Sequence, residues 1–381
     1  MRIGMVADAY KPYISGVTNC IALNKRALET LGHEVFVFTF GAFEDDEKNV
    51  IRSPGLPVTE SGYYVGLGYT RRARKLLYSM DVVHVHQPFL SGALAMTYCK
   101  PRRIPIVCTN HTRYDLYARA YLPIIPLELA VTVLAAYLPP FYRACDLVIA
   151  PSEGIRQVMM KQGVDVPIEV VSNGVDLRPF QEVSSPLERA ALGFEPGDFV
   201  MAFVGRLSPE KNLQFLVEAF AAVAQVFSQA RLLLIGTGPL RKPLQTWVRE
   251  HDLTGRVHFT GFVPYDRLPS YLAVADAFVT ASVTEVHPLT VIEAMSAGLP
   301  ILGIQSPGVG DIVENEVTGL LSPEEKGAFI SLMSRLVTEP DLCHRLGQQA
   351  RQTSNNYAIE QTSQIILGHY QRLADLRRVA Q

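Results

Sequence analysis

Two successive series of short apolar runs, separated by longer segments of helical periodicity, constrain the fold of this chain most. The first series comprises RIGMVA, EVFVFTF, DVVHVHQ, IPIVCTN, DLVIAPS and IEVVSNG, and the second comprises FVMAFVG, RLLLIGTG, RVHFTGF, DAFVTAS and LPILGI. Apolar runs of this length, alternating with helices, are typical of buried parallel strands. The sequence therefore predicts an α/β protein with two doubly wound parallel sheets facing across a cleft.

The length of 381 residues agrees with two domains, because domains commonly span about 100–200 residues. We place the boundary near Arg178, which predicts an N-terminal domain over residues 1–177 and a C-terminal domain over 178–357. Residues 358–381 form a last predicted helix. The glycines in ALETLGHEV and EAMSAGLPI are typical of helix C-termini that lead directly into strands.

Composition and charge exclude several classes of protein. A formal net charge of −2 argues against binding nucleic acid through overall charge. Five scattered cysteines without a C-x-x-C pair predict neither a disulfide framework nor a structural zinc site, and they fit a reducing cytoplasm. The N-terminus is strand-like, without a secretory signal. The longest uncharged apolar run follows Glu128 and reaches Tyr142; it is interrupted by Pro139 and Pro140 and is shorter than the roughly 20 residues that span a bilayer.

Glycine-containing and charged loops follow the predicted strands, where open parallel sheets bind their ligands. Gly16 opens a helix in ADAYKPYISGVTN, and Gly236 lies in GTGPL. Glycines let the backbone approach a phosphate, and helix N-termini offer N–H groups to an anion. These loops indicate a phosphate-bearing ligand.

The loop VGRLSPEKN brings two cations to one strand end. Arg206 and Lys211 flank a helix start at which Ser208 is expected to cap and Pro209 to occupy the first helical position. The pair is predicted to bind an anion. The alternative is a pair of solvated surface charges.

A second helix start lies in SVTEVHPLTVIEAMSAGLP. Pro288 suits the first turn of a helix that reaches about Ala297, so that Leu289 and Thr290 present backbone N–H groups at its N-terminus. Those groups are predicted to form an anion site.

Two glutamates flank this anion site. Glu285 precedes the helix and Glu293 lies more than one turn inside it. Carboxylates do not bind an anion directly, so we expect them to accept hydrogen bonds from neutral hydroxyls. A nucleotide-sugar fits, with one carboxylate for the sugar and one for the ribose; two solvated charges on a helix face are the alternative.

At these residues the sequence resembles the retaining glycosyltransferases of family 4, whose GT-B architecture consists of two Rossmann-like domains. The resemblance extends over the whole chain, through TEVHPLTVIEAMSAGLPI, VGRLSPEKN, PYISGVTN, SNGVDLRPF and NNYAIEQ. It implies an acceptor-side N-terminal domain, on which the last helix packs, and a donor-binding C-terminal domain.

The resemblance implies a role for each matching residue. Arg206 and Lys211 would hold the donor diphosphate, Glu285 the donor sugar and Glu293 the ribose, while Gly16 would let its loop approach the β-phosphate.

The donor-binding set includes further residues and departures from the family pattern. We add Gly236 from GTGPL and Val263 from GFVPYD, a segment whose backbone holds the base in the family. His287, after Val286, replaces the glycine or aromatic pair that is common after the first glutamate, and Asp311 replaces a usual glutamate.

The segment VCTNHTRYDLYARAY is most similar to diacylglycerol glucosyltransferases. His111 would then face the donor sugar; a satisfied polar residue at a strand end is the alternative. His84 and His86 alternate along their strand and could imitate a metal site with His111, but no carboxylate accompanies them.

The activity that the resemblance implies is transfer of a hexose, expected to be glucose, from a nucleoside diphosphate such as UDP to a hydroxyl with retention of configuration. We expect the cations and the helix dipole to stabilise the leaving diphosphate, so that a divalent metal is not required and at most stimulates. No carboxylate is identifiable as a nucleophile, which favours front-face attack. A nucleotide-sugar epimerase and a non-catalytic sugar-nucleotide sensor are alternatives, whereas IGTGPLRKPL lacks the third glycine of a nicotinamide site.

The acceptor prediction starts from TRRARKLLYS, a predicted helix with Arg71, Arg72, Arg74 and Lys75, on which Arg71, Arg74 and Lys75 share a face. Together with the nearby KPRR and the apolar stretch Tyr121 to Tyr142, this composition is typical of a peripheral membrane surface. We therefore expect diacylglycerol or a related lipid as acceptor, at the inner face of the cell membrane. The alternative is a solvated helix and an ordinary core helix, with a soluble sugar or polyol as acceptor.

Overall fold

The computed structural model describes residues 1–41, 47–57, 64–116 and 126–379. The chain divides into two compact units. The first unit comprises Met1–Gly174 and Ile359–Gln381, and the second comprises Val175–Ala358. The sequence-based boundary near Arg178 lies a few residues beyond the end of the first segment.

The first unit contains nine strands and six helices among its described residues. The strands are β1 (Arg2–Val6), β2 (Glu34–Phe40), β3 (Val50–Ser53), β4 (Leu56–Pro57), β5 (Tyr64–Val65), β6 (Val82–Val85), β7 (Ile106–Thr109), β8 (Leu147–Ala150) and β9 (Ile168–Val170). The helices are α1 (Gly16–Thr30), α2 (Arg71–Leu77), α3 (Leu90–Cys99), α4 (Leu127–Ala144), α5 (Glu153–Lys161) and, at the end of the chain, α13 (Ile359–Val379).

The second unit contains six strands and seven α-helices. The strands are β10 (Phe199–Val204), β11 (Ala230–Ile235), β12 (Val257–Gly261), β13 (Ala277–Thr280), β14 (Ile301–Ile304) and β15 (Gly319–Ser322). The helices are α6 (Arg178–Gln181), α7 (Leu213–Val226), α8 (Arg241–Glu250), α9 (Leu268–Leu272), α10 (Leu289–Ser296), α11 (Lys326–Thr338) and α12 (Pro340–Ser354).

Each unit is built on one parallel sheet. The order in the first is β3-β2-β1-β6-β7-β8-β9 and in the second β12-β11-β10-β13-β14-β15, and β4 and β5 form a separate antiparallel pair. Strand order reverses direction between β1 and β6 in the first sheet and between β10 and β13 in the second. The predicted doubly wound parallel sheets are therefore confirmed, and these two reversals are the points at which such sheets bind ligands.

Alternation of side chains along the strands produces a core on both faces of the second sheet. Along β10, Met201 and Phe203 pack into one hydrophobic cluster, and Val200 and Ala202 pack into the other. Successive side chains of a strand point to opposite faces, so an uninterrupted apolar run implies burial on both sides. The loop that follows β10 therefore starts from a strand that is buried on both faces.

The two glycines predicted to end helices do so. Gly32 follows α1 with a φ of 84°, and Gly298 follows α10 with a φ of 82°. A side chain strains this left-handed conformation, whereas glycine adopts it freely.

Helix α4 differs from the sequence expectation. The sequence predicted that Pro139 and Pro140 interrupt the apolar stretch, but one helix continues through both. Proline deprives the carbonyl four residues earlier of its donor, here those of Ala135 and Ala136. Both alanines are exposed, so solvent can satisfy these carbonyls. The beginning of the predicted stretch, Tyr121, lies outside the described residues.

Within the described ranges, the length and hydropathy of the helices are insufficient for any of them to span a bilayer.

Candidate functional site

The candidate residues of the second unit lie in loops at the carboxyl edge of its sheet. The loops after β10 and β11 are joined by a hydrogen bond from Leu207 N to Thr237 O of 2.9 Å. Gly236 has a φ of 140°, and a Cβ there would lie 1.9 Å from the carbonyl oxygen of Gly205. Only glycine fits this crossing of two backbones, so Gly236 has a structural reason besides the predicted phosphate approach.

The loop after β10 begins a helix less simply than predicted. Pro209–Lys211 forms a short 3₁₀ helix, which ends at Asn212 in the left-handed conformation with a φ of 52°, and α7 starts only after it. Ser208 occupies the N-cap position but does not cap the helix; its hydroxyl donates to the Glu210 carboxylate instead. The nearby acceptor therefore outcompetes the local cap that the sequence predicted.

Arg206 and Lys211 differ in their environments within this loop. The side chain of Arg206 is exposed and has no hydrogen-bond or ion-pair partner among the described residues. Lys211 instead donates from Nζ to Glu285 Oε1 at 2.6 Å, and the two side chains are 20% and 18% exposed. The structure thus brings together two predicted catalytic residues, a cation and a carboxylate.

Two hydroxyl groups attach the Glu285 segment to the 3₁₀ turn. Ser282 Oγ and Thr284 Oγ1 both donate to the carbonyl oxygen of Glu210, at 3.3 and 3.1 Å. Gly308, with a φ of 88°, packs against the other side, where a Cβ would lie 2.4 Å from the Glu285 carbonyl oxygen. These contacts fix the backbone on both sides of the ion pair; the sequence reasoning did not single out Gly308.

Helix α10 has the predicted form. It starts at Leu289 and its C-cap is Ala297; the N-cap residue, Pro288, offers no side-chain cap. The N–H groups of Leu289 and Thr290 in the first turn are therefore available to an anion, and the dipole of the helix favours negative charge there.

Glu293 lies inside α10 and is only 2% exposed. Its Oε1 accepts a hydrogen bond of 2.9 Å from the hydroxyl of Tyr265, two residues beyond Val263 in the loop after β12. Burial raises the pKa of this carboxyl to about 7, against the lowering effect of the Tyr265 hydrogen bond. The carboxyl that already accepts from the Tyr265 hydroxyl retains further lone pairs with which to accept from other hydroxyls.

Tyr265 is a residue that the sequence reasoning missed, although it lies inside the segment GFVPYD. An aromatic hydroxyl directly after a proline in a strand-end loop was the available signal.

His287 is buried next to these groups. Burial lowers the pKa of its imidazole to about 4, although the charge of Asp311 acts in the opposite direction. Its ring lies edge-on to that of Tyr357, with 5.5 Å between the centroids. His287 is therefore neutral near pH 7, so it contributes hydrogen bonding and shape but no positive charge.

In the first unit, Gly16 starts helix α1 as predicted. Ser15 caps the helix by accepting from Thr18 N, and Thr18 Oγ1 accepts from the backbone of Ser15 in return. Gly16 itself is exposed, and a Cβ at this position would meet nothing within 4 Å. Its own unit therefore places no steric requirement on glycine here.

His111 follows β7 and belongs to a histidine cluster. His111 Nε2 lies 2.9 Å from His86 Nδ1, and His84 is hydrogen-bonded on both ring nitrogens, to Tyr370 Oη at 2.5 Å and to Thr109 Oγ1 at 2.7 Å. Tyr370 belongs to α13, so the C-terminal helix contacts this cluster. Across the described ranges, no three or more histidine, cysteine or acidic side chains are grouped so as to hold a metal ion.

The basic segment of the first unit forms helix α2. Arg71, Arg72 and Lys75 are exposed, whereas Arg74 is half-buried with its guanidinium over the ring of Tyr98, 5.6 Å from the centroid. The predicted shared face of Arg71, Arg74 and Lys75 is thus modified, because the aromatic ring holds Arg74 close to the protein.

The KPRR segment adjoins α2 through aromatic rings. Arg102 lies over the ring of Tyr78, 3.6 Å from the centroid, and Tyr78 contacts Tyr98 edge-on. The two basic segments that the sequence placed together therefore do lie on one surface.

Helix α4 exposes apolar side chains. Leu129 and Val133 are one turn apart on the same face and are 53% and 43% exposed, Val131 is 38% exposed on a different side of the helix, and Ala130 and Leu134 are buried. An ordinary surface helix has polar residues on its outer face. The exposed apolar face of α4 is therefore a candidate interaction surface.

Two doubly wound parallel sheets, each with its candidate residues in the loops at the carboxyl edge, define a protein of two Rossmann-like domains. Two sequence profiles match this chain: the one described as Glycosyltransferase Family 4 matches residues 14–178, and the one described as Glycosyl transferases group 1 matches residues 184–353.

Among curated relatives, alpha-monoglucosyldiacylglycerol synthase of Acholeplasma laidlawii is 31% identical, with 94% of each chain covered. The synthase of the same name from Streptococcus pneumoniae is 28% identical over 90% of this chain and 80% of its own length. The chain belongs to the family 4, group 1 glycosyltransferases.

The solved structures agree in fold. Anabaena HepE in complex with UDP superposes with a TM-score of 0.78 at 19% identity, covering 98% of this chain and 100% of that chain. Sucrose-phosphate synthase of Thermosynechococcus elongatus gives 0.76 at 22% identity, covering 98% of each chain. The fold of this glycosyltransferase is GT-B.

Proposed function

We propose that this glycosyltransferase transfers glucose, with retention of configuration, from UDP-glucose to diacylglycerol or a related lipid at an anionic membrane surface. The observation on which the acceptor chiefly depends is one surface of the first unit, where exposed basic residues of α2 adjoin the KPRR segment. The exposed apolar face of α4 belongs to the same unit. Basic residues suit anionic headgroups, and apolar side chains suit the interface.

The relatives support the donor and the stereochemistry. Two of them are named for the synthesis of alpha-monoglucosyldiacylglycerol, and solved structures of the same fold contain UDP or UDP-glucose. UDP-glucose carries its sugar in the α configuration, so an α-glucoside product requires retention.

The second unit supplies the groups that donor binding needs. Lys211 and Arg206 would neutralise the leaving diphosphate together with the N-terminus of α10, and Glu285 and Glu293 would accept hydrogen bonds from sugar and ribose hydroxyls. Charges positioned before the reaction stabilise a developing anion without reorganisation. Front-face attack, in which the leaving phosphate takes the acceptor proton, fits these residues.

No resident divalent metal is needed in this mechanism, because the two cations supply the positive charge at the leaving group. Treatment with EDTA should leave most of the transfer activity, and added Mg²⁺ should stimulate only modestly. Complete loss of activity in EDTA, restored by a divalent cation, would contradict this assignment of the cations.

The test of the acceptor is transfer from radiolabelled UDP-glucose to diacylglycerol in mixed micelles, compared with soluble sugars and polyols. We expect a lipid product and little soluble product. Efficient transfer to a soluble sugar with none to diacylglycerol would leave the glycosyltransferase assignment intact and discard the lipid acceptor.

Membrane association is tested by co-sedimentation with liposomes. Binding should rise with anionic lipid, fall with salt, and weaken when Arg71, Arg72 and Lys75 are changed to serine, since each near-surface cation adds about 1 kcal/mol of attraction. A triple change of the exposed Lys242, Arg249 and Arg267 of the second unit to serine is the matched control with the same loss of charge. Equal weakening by both sets would show a nonspecific charge effect.

The apolar contribution is tested separately. Changing Leu129 and Val133 to serine should lower liposome binding while the thermal stability of the protein is kept, because both side chains are exposed. Unchanged binding would remove α4 from the proposed membrane surface.

A further inference from the structure

The histidine cluster at the carboxyl edge of the first sheet contains one ring whose role the mechanism leaves open. His86 is 1% exposed and lies between two other imidazoles. Its ring centroid is 4.2 Å from that of His84 and 5.2 Å from that of His111, and the His86 and His111 planes are nearly parallel at 17°. In the described residues, the single polar contact of the His86 imidazole is the 2.9 Å contact from Nδ1 to His111 Nε2.

The protonation state of His86 follows from its burial. Burial, together with the neighbouring His84 and His111, holds the pKa of His86 well below its ordinary value. Burial also lowers the pKa of His84 to about 3. Both rings are therefore neutral, and each has one proton to place on one of its two nitrogens.

Only one of the two neutral tautomers of His86 donates its ring proton to a hydrogen-bond acceptor. If the proton lies on Nδ1, it is donated to His111 Nε2, and a lone pair remains on Nε2. If it lies on Nε2, a buried N–H has no acceptor among the described residues. Buried N–H groups without a partner are rare in proteins, so the first tautomer is favoured.

We propose that His86 is a positioning residue whose Nδ1–H donates to His111 Nε2 and thereby fixes His111 in the tautomer that has its proton on Nδ1. His111 then meets the donor sugar as a hydrogen-bond donor and does not act as a general base through that nitrogen. The contact between His111 and the donor sugar is the one that the resemblance to diacylglycerol glucosyltransferases implies, so this inference rests on the proposed function. It agrees with front-face attack, in which the leaving phosphate and no protein base takes the acceptor proton.

The tautomer can be measured without any substrate. Long-range ¹⁵N–¹H correlation spectra of the full-length protein with ¹⁵N-labelled histidine distinguish protonated from unprotonated ring nitrogens, and the spectrum of His111→Gln assigns the signals of His111. We expect an unprotonated Nε2 and a protonated Nδ1 in His111. Protonation of Nε2, in the neutral ring or in an imidazolium, would overturn the proposal.

Two substitutions of His86 separate positioning from packing. His86→Asn keeps an N–H donor near the place of Nδ1, whereas His86→Phe keeps the aromatic ring without the donor. We expect kcat/KM for the donor to fall about tenfold in His86→Phe and less than about threefold in His86→Asn, as loss of one orienting hydrogen bond predicts. Equal losses in both variants would show a packing role and overturn the proposal.

Tyr370→Phe is the matched control. It removes the hydrogen bond to His84 in the same cluster but leaves the contact between His86 and His111. It should lower thermal stability with kcat/KM unchanged. A loss in Tyr370→Phe equal to that in His86→Phe would show that any disturbance of the cluster impairs activity, which would contradict a specific role of His86.

The double variant identifies the route of the effect. In the His111→Gln background, adding His86→Phe should cost less than about twofold more in kcat/KM, since the group that His86 positions is already absent. A full tenfold further loss would overturn the proposal. If the wild-type protein transfers no sugar, the proposed function fails, whereas the tautomer measurement still tests the assignment. The tautomer measurement also tests the assignment if His86→Phe does not fold.

Discussion

The buried carboxyl of Glu293 should cost the protein stability at neutral and alkaline pH. Its pKa is raised from 4.5 to about 7 by burial, so the folded state binds the proton more tightly than the unfolded state. The favourable contribution is complete below about pH 4.5 and is lost as the pH rises through about 7. At about 1.4 kcal/mol for each pKa unit, the loss amounts to about 3 kcal/mol.

Glu293→Gln removes this titration while an oxygen acceptor remains for the Tyr265 hydroxyl. We expect the variant to be more stable than the wild type at pH 8, by up to about 3 kcal/mol, and about equally stable near pH 4.5. The assay is urea unfolding across this pH range, followed by the fluorescence of Trp247. This residue is the only tryptophan of the chain, and it lies in α8 of the same unit as Glu293.

The same variant should lose nucleotide binding. UDP at 100 times its Kd stabilises a folded protein by about 2.7 kcal/mol, and most of this gain should be absent in Glu293→Gln, because an amide is a weaker acceptor for the ribose hydroxyls. Glu285→Gln is the matched control: its carboxylate is paired with Lys211, and loss of this ion pair should bring no gain in stability at pH 8. A difference between wild type and Glu293→Gln that does not change with pH would refute the reasoning.

Three further predictions concern the residues around the donor. Gly16→Ala should leave the melting temperature unchanged or raise it, because alanine favours a helix by up to about 1 kcal/mol over glycine and no atom obstructs a Cβ at this position. If the β-phosphate approaches Gly16, the same change should lower donor turnover roughly tenfold or more. Normal turnover would contradict that approach. Lys211→Ala and Arg206→Ala should each reduce kcat roughly 100-fold in a protein that still folds. Steady-state kinetics measure kcat, and thermal melts check folding. An unchanged kcat in either variant would show that its cation does not stabilise the leaving diphosphate. Tyr265→Phe should raise the pKa of Glu293 further and weaken UDP binding at pH 7, and binding should recover at higher pH. Calorimetric titration with UDP at both pH values checks this. An equal loss of affinity at both would show that the Tyr265 hydroxyl acts by another route.

The central strands of both parallel sheets and two of their edge strands, β9 and β12, were predictable from the sequence, whereas the other two edge strands, β3 and β15, were not. The run FVMAFV in β10 is apolar throughout because both faces of the sheet cover it. Strand β15, Gly319–Ser322, and strand β3, Val50–Ser53, lie at the edges of their sheets. Their sequences, VIRS in β3 and GLLS in β15, each contain only two large apolar residues and so lack the continuous apolar run that marks a strand buried on both faces. The pairing that makes these segments strands comes from the neighbouring strand and not from their own composition.

In the candidate site, the functional residues could be predicted from the sequence, whereas their contacts could not. Arg206, Lys211 and Glu285 could be singled out because each lies in a loop after a predicted strand, where a doubly wound sheet binds ligands, and Glu293 because it lies in the helix that follows the Glu285 loop. Their contacts could not be predicted, because Lys211 and Glu285 are 74 residues apart and Tyr265 and Glu293 are 28 residues apart. Local rules describe only near neighbours, and even there a competing acceptor changed the outcome, as the hydroxyl of Ser208 shows. Donor binding need not leave Lys211 unpaired. A diphosphate oxygen that replaces the Glu285 carboxylate at Lys211 Nζ gives the lysine another anionic partner, so the exchange keeps a charge-assisted hydrogen bond at the cation.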